Sequence, residues 1–238
     1  ANELAHANTV LLQTTMGAVA VTEQAIINEA HERGLVVPNR RERLTGEDTQ
    51  AAGAYVAYPK KGIHQWIGAI DINSLYPSAI QALNMAPETI VGQIRPHMTD
   101  NHIRSRMNKG MSFAAAWEGL FATLEYTAVM EQQRGTELTV DWENGETTVH
   151  SGAELWKILF DSNSPWILSA NGTIFTYEHE GVVPGLLARW YRERKELQKK
   201  KADATDKAQE AFWDKRQLVK KINLNSLYGA ILNPGCRF

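Results

Sequence analysis

Asp71-Ile72-Asn73-Ser74-Leu75-Tyr76-Pro77-Ser78 is the stretch on which the reading of this chain turns. Upstream of it, Ile63 to Ile72 is a nearly continuous apolar run with Trp66, Ile67 and Ile70, the pattern of a buried strand. Downstream, Pro77 suits the first turn of a helix, where a missing N–H costs nothing; that helix runs through Ile80 and Leu83 until Pro87 bounds it. The Asp71 carboxylate is thus expected at a buried strand end, where it costs free energy unless it is paired or binds a cation. Magnesium suits such a place, since it takes one or two carboxylates with phosphate oxygens and water, and N–H groups of the following turn can face a phosphate. A strand-end aspartate more often caps a turn or joins a salt bridge, so this stretch needs a second one to give it meaning.

The second stretch is Lys221-Ile222-Asn223-Leu224-Asn225-Ser226-Leu227-Tyr228-Gly229. As a helix it puts Lys221, Asn225 and Tyr228 at i, i+4 and i+7, so a cation, an amide and an aromatic ring share one face. Such a line can meet phosphate, base edge and base plane. The plainer reading is a helix end with Gly229 as its stop. Leu186 to Lys201 and Asp206 to Leu224 both carry helical periodicity, and the polar break Ala202 to Thr205 makes them an antiparallel hairpin. From Arg189 to Lys221 there are 12 Lys or Arg against 6 Asp or Glu, while the rest of the chain holds 13 against 21. A basic segment on an acidic body suits a polyanionic partner, although a Lys-rich face is also what plain solvation produces.

With 238 residues, 43% hydrophobic and 22% charged, the composition is that of a globular protein and excludes a disordered or collagen-like chain. One cysteine, Cys236, excludes an internal disulfide and a multi-cysteine zinc site, and no two of the seven histidines stand at i, i+4. No apolar run is long enough to span a bilayer and the start lacks a signal-peptide pattern, so a soluble, cytoplasmic protein is expected. Thr22 caps a helix that Gly34 stops, with Ile26, Ile27 and Ala30 on its apolar face; Pro38 to Gly53 reads as a loop, and Ser112 to Met130 as helical. Asn144-Gly145 joins Leu138–Glu143 to Glu146–His150 as a hairpin, a helix runs from Ala153 to Phe160, and Asn171-Gly172 turns into the strand Thr173 to Tyr177. Asp141-Trp142-Glu143 reads as a solvated strand end, and Trp190 and Trp213 as hairpin packing rather than base-stacking rings.

Together the two stretches resemble motif A and motif B of family B DNA polymerases, in the family's order, with a basic helical hairpin between them. Gly53-Ala54-Tyr55-Val56 looks like the template-contacting link upstream of motif A, and Asn171-Gly172 through Gly181-Val182-Val183-Pro184 like the segment leading into the fingers. Leu83 to Ile90 looks like the T-even-type bacteriophage branch. The resemblance covers roughly residues 52–94 and 168–238, and the segment around 97–164 has no counterpart in it.

The fold so implied is α+β: a partial palm of antiparallel strands with helices over 1–184, and an α-helical fingers hairpin over 185–238. By resemblance Asp71 is a catalytic metal-binding aspartate, with the Ile72 carbonyl as a further ligand to one of two Mg2+ ions. Ser74 and Leu75 present backbone groups to the triphosphate, and Tyr76 lies under the sugar and excludes a 2′-hydroxyl. Arg194 and Lys221 grip the triphosphate, and Asn225 positions the incoming nucleotide. Tyr228 and Gly229 help form the nascent base-pair pocket, and Gly53 and Ala54 contact the template. The implied partners are primer-template DNA, deoxynucleoside triphosphates and a further C-terminal palm and thumb portion, with no membrane. Departures accompany this. Gln198 stands where the phage enzymes carry a second fingers lysine, and neither an Asp-Thr-Asp motif nor a preceding exonuclease domain is found. A polymerase portion inactive by itself is therefore expected; the alternative is a non-catalytic nucleotide- or nucleic-acid-binding module of polymerase architecture.

Overall fold

The computed structural model describes residues 1–39, 58–72, 74–161, 163–233 and 235–237. In chain order the helices and strands are α1 (Asn2–Asn8), α2 (Ala18–Glu32), α3 (Leu75–Ala82), β1 (Ile90–Ile94), α4 (His97–Asn108), α5 (Phe113–Ala116), α6 (Leu124–Met130), β2 (Glu137–Trp142), β3 (Thr147–Ser151), α7 (Gly152–Phe160), β4 (Trp166–Leu168), β5 (Thr173–Thr176), α8 (Val182–Ala202) and α9 (Lys207–Ile231). They fall into two compact units. One is drawn from the described residues of 1–51, 68–82 and 182–238, the other from those of 52–67 and 83–181. Helices and an antiparallel sheet are both present, as an α+β reading requires. Among the described residues no helix is long and apolar enough to cross a membrane.

The first unit is helical. Pro184 lies in the first turn of α8, where its missing N–H is no loss. Asp206 caps α9 by accepting from the backbone N–H of Ala208 and Gln209, both at 2.8 Å. The two long helices pack antiparallel, with Leu186, Leu187 and Trp190 of α8 and Val219, Leu224 and Leu227 of α9 buried. Each such side chain contributes about 1.5–3 kcal/mol on burial. α2 and α3 pack on this pair, bringing in Ile26 and Ile80. α2 begins at Ala18, four residues before the expected cap, so Thr22 is a buried core position rather than an N-cap. Small residues ahead of Thr22 simply prolong the helix.

The second unit is built on the sheet. Among its described residues five strands run in the order β3-β2-β1-β5-β4, each pairing antiparallel. The β2–β3 hairpin turns at Asn144-Gly145 as the sequence leads one to expect; of the turn residues only Gly145 takes positive φ, at 85°. That is the three-residue hairpin form, closed by a left-handed glycine. α6 and α7 cover the sheet, and Ile94, Val129, Leu138, Val140, Leu155 and Ile174 belong to one buried cluster. Asn84 is the polar fastener of the unit. Its amide donates to the carbonyls of Thr176 (2.7 Å) and His179 (2.8 Å) and accepts from the Gly181 N–H (2.9 Å). Ser112 to Met130 is not one helix but α5 and α6, split by a segment in which Thr123 caps α6.

The expected strand Ile63–Ile72 does not form. Residues 58–72 adopt neither helix nor strand, and Ile63, Trp66 and Ile70 are 97%, 100% and 98% exposed. An apolar run supplies β propensity, but a strand exists only through lateral hydrogen bonds, and no described strand pairs with this one. Asp71 is accordingly exposed rather than at a buried strand end.

Two outcomes follow from this packing. A Cβ on Gly152, at the start of α7, would fall on the Ala128 carbonyl. Gly152→Ala should therefore lower stability by about 1–3 kcal/mol, read as a drop in melting temperature. Asp141 accepts from Arg95 at 2.6 and 2.7 Å and from Thr147 at 2.7 Å. The Arg95 hydrogen bond, helped by Thr147, holds its carboxyl down at about 2. Because the folded value lies below the unfolded one, the stabilisation is full above the ordinary carboxylate range of ~4 and fades as pH falls toward 2. The melting-temperature gap between wild type and Asp141→Asn should shrink over that window; a constant gap would show the pair makes no contribution.

Candidate nucleotide-binding face

Ten of the residues singled out in the sequence lie in the first unit: Asp71, Ile72, Ser74, Leu75, Tyr76, Arg194, Lys221, Asn225, Tyr228 and Gly229. Gly53 and Ala54 lie outside the described residues. The turn before α3 is sharp, with Ser74 at φ 54°, a left-handed conformation unusual for a residue with a Cβ. The Ser74 carbonyl then accepts from the Ser78 N–H at 2.9 Å, which starts the helix. Leu75 and Tyr76 occupy its first turn, both about half exposed.

α9 presents the second motif as its spacing predicts. Of the expected face Lys221 and Asn225 are exposed and Tyr228 is half-buried, with Gly229 exposed beside it, whereas Asn223, Leu224, Leu227 and Ala230 face inward. The helix runs on through Gly229 to Ile231, so Gly229 is not the helix stop that the plainer reading made it. Among the described residues, a Cβ at Gly229 would meet nothing beyond its own stretch of helix backbone within 4 Å. A helical glycine costs up to about 1 kcal/mol against alanine, and packing does not account for it here.

The two motifs meet through their tyrosines. The rings of Tyr76 and Tyr228 are stacked 3.9 Å apart between centroids and 8° from parallel. Arg194 on α8 reaches across the hairpin, its Nε donating to Gln217 Oε1 at 3.5 Å. Gln217 stands one turn before Lys221, so the guanidinium lies beside the Lys221 face. Next to it, Lys220 pairs with Glu193 at 2.5 Å. On the inner side of α9, Asn223 donates to Asn8 Oδ1 at 2.8 Å and accepts from Asn8 Nδ2 at 3.3 Å. Both amides are buried, and they fasten the motif helix to α1. Gln217 and the Asn8–Asn223 pair were missed in the sequence; helical spacing from Lys221 flags Gln217, while nothing local flags Asn8.

The hairpin's positive charge is partly consumed. Arg189 pairs with Glu29 and Glu32, Lys201 with Asp214, and Arg216 with Glu3. Lys200 and Arg216 cover the Trp213 ring, whereas Trp190 is 3% exposed. Trp190 is thus core and Trp213 a cation-covered surface ring.

Among the described residues no three His, Cys, Asp or Glu side chains come together as a metal cluster. Asp71 and the neighbouring Ile72 carbonyl are hard oxygen donors, the type magnesium takes, and both residues are exposed. These donors fit that ion in kind and would supply only part of its shell.

A family model for DNA polymerase family B matches residues 9–232. The DNA polymerase of Red sea bream iridovirus is 26% identical over 182 residues, 75% of this chain and 18% of that protein. The DNA polymerase delta catalytic subunit of Schizosaccharomyces pombe is 27% identical over 207 residues, covering 86% of this chain and 13% of that one. DNA polymerase 2 of Aeropyrum pernix is 42% identical over 69 residues, 29% of this chain and 8% of that protein. The chain thus spans only a small part of the length of these relatives. With nearly all of its own length matched, and with both motif stretches joined in one unit, the chain belongs to DNA polymerase family B.

Proposed function

We propose that this chain carries the nucleotide-binding face and one catalytic aspartate of a template-directed DNA polymerase of the T-even-type bacteriophage branch, adding deoxynucleotides to a primer 3′ end. The observation that carries the proposal is the meeting of the two motif stretches through the Tyr76–Tyr228 stack, within the unit that also holds Arg194 and Lys221. In this reading residues 1–184 are partial palm and 185–238 the fingers hairpin. In this reading the chain works as part of a longer or two-piece enzyme, because the two motif stretches supply Asp71 as their one catalytic aspartate and a two-metal site needs at least a second carboxylate.

Asp71 and the Ile72 carbonyl would hold magnesium. When bound, the metal supplies the charge that clamps the attacking and leaving oxygens of phosphoryl transfer. Lys221 and Arg194 bind the triphosphate, and the backbone at Ser74 and Leu75 orients it. Asn225 positions the nucleotide, and Tyr76 fills the space a 2′-hydroxyl would need. The open space over Gly229 lets a base pair approach the α9 backbone.

Primer extension with magnesium and four deoxynucleotides, in the complete polymerase carrying this chain, tests the proposal. Asp71→Asn should lower kcat by roughly 100-fold or more, the scale on which losing a charge-stabilising group costs rate. Undiminished extension would overturn it. Arg194→Ala and Lys221→Ala should each weaken deoxynucleotide binding by about 1.5–3 kcal/mol, read as a rise in Kd. Gly229→Ala should raise the melting temperature, by up to about 1 kcal/mol of added stability, while slowing incorporation. A variant both more stable and fully active would remove Gly229 from the pocket.

A further inference from the structure

We infer that Tyr228 is a positioning residue for sugar selection, acting through the ring of Tyr76; the inference rests on the reading of Tyr76 as the sugar gate. Tyr76 stands in the first turn of α3, an eight-residue helix, and is 43% exposed. On those terms alone its side chain is free to change rotamer, as exposed residues do on the ps–ns scale. A ring that excludes one hydroxyl has to stay in place, because binding sites hold their working groups to within ~0.5 Å. The structure supplies a flat support for that ring. Tyr228 lies against it face to face, at 3.9 Å and 8°.

The support itself is well anchored. Tyr228 is half-buried on α9, a 25-residue helix, and its neighbours Leu224, Leu227 and Ala230 are 1%, 0% and 3% exposed. The amide pair of Asn223 and Asn8 holds the same helix from its inner side. With one face covered by Tyr228, Tyr76 can offer a sugar only its edge or its opposite face. Swinging aside would require breaking the stack. Sugar choice would then depend on two residues far apart in the chain, of which only Tyr76 meets the sugar.

The test compares single-nucleotide incorporation of a deoxynucleotide and the matching ribonucleotide by the complete polymerase, as the ratio of their kcat/KM values. Tyr228→Phe keeps the ring and should keep the ratio. Tyr228→Leu, which keeps apolar volume but not the flat face, should lower it by about tenfold or more, mostly through faster ribonucleotide use. Tyr228→Ala should do the same, and the Leu variant carries the test if Ala does not fold. Tyr76→Ala should relax the ratio at least as far, and adding Tyr228→Leu to it should relax it no further. If Tyr76→Ala leaves the ratio at its wild-type value, the sugar-gate reading fails, and this inference with it. If Tyr76→Ala relaxes the ratio but Tyr228→Leu does not, or the double variant relaxes it additively, only the positioning role of Tyr228 is overturned.

Discussion

The antiparallel packing of α8 on α9 is the constraint on which the helical unit depends. Its buried seam, with Leu187 and Trp190 on one side and Val219, Leu224 and Leu227 on the other, sets the rotation of both helices. Once that rotation is set, Lys221, Asn225 and Gly229 have to face outward and Asn223 inward. The cross-hairpin contacts Arg194–Gln217, Glu193–Lys220 and Lys201–Asp214 all obey one register. Exposed pairs of this kind add little stability, about 0–1 kcal/mol each, so the apolar seam holds the hairpin and the ion pairs tune it.

The same packing changes what the basic excess means. Arg189 is drawn inward to Glu29, whose side chain is 7% exposed, and ties α8 to α2. Arg216 and Lys200 are spread over aromatic rings. Positive charge left on exposed residues, Lys221 among them, is therefore more localised than the count along the chain suggests. A polyanion would meet a patterned face rather than a uniformly basic one.

The sheet unit follows a different logic, since its polar groups are satisfied over long sequence separations. Glu125 on α6 is buried, yet it accepts from the N–H of Met98 (2.5 Å) and Thr99 (3.1 Å) and from the Thr99 hydroxyl (2.5 Å). It thereby caps α4 at its N-terminus, where unpaired N–H groups and the helix dipole favour a carboxylate. α4 is a mostly polar segment with a remote cap, which is why no helix was expected there. Leu83 to Ile90 also acquires a structural meaning. Its Asn84 and Thr89 stitch the unit together, Thr89 Oγ1 donating to the Asn84 carbonyl at 2.5 Å.

Elements whose information is local were legible in the sequence. The Asn144-Gly145 hairpin, the helix that ends at Phe160, the periodic run that becomes α9 and the i, i+4, i+7 spacing of Lys221, Asn225 and Tyr228 each follow from residues within a turn or two. Family membership was legible as well, because two motifs in a given order need no coordinates. Partnership was not. Ile63 to Ile72 has the composition of a strand and is not one, since pairing depends on a neighbour that composition does not name. Tyr76 and Tyr228 were each assigned to a pocket from the motif that carries them, but only the tertiary structure put one ring on the other. Propensity and periodicity act within a few residues, whereas a stack or a remote cap is chosen by helices that meet through space.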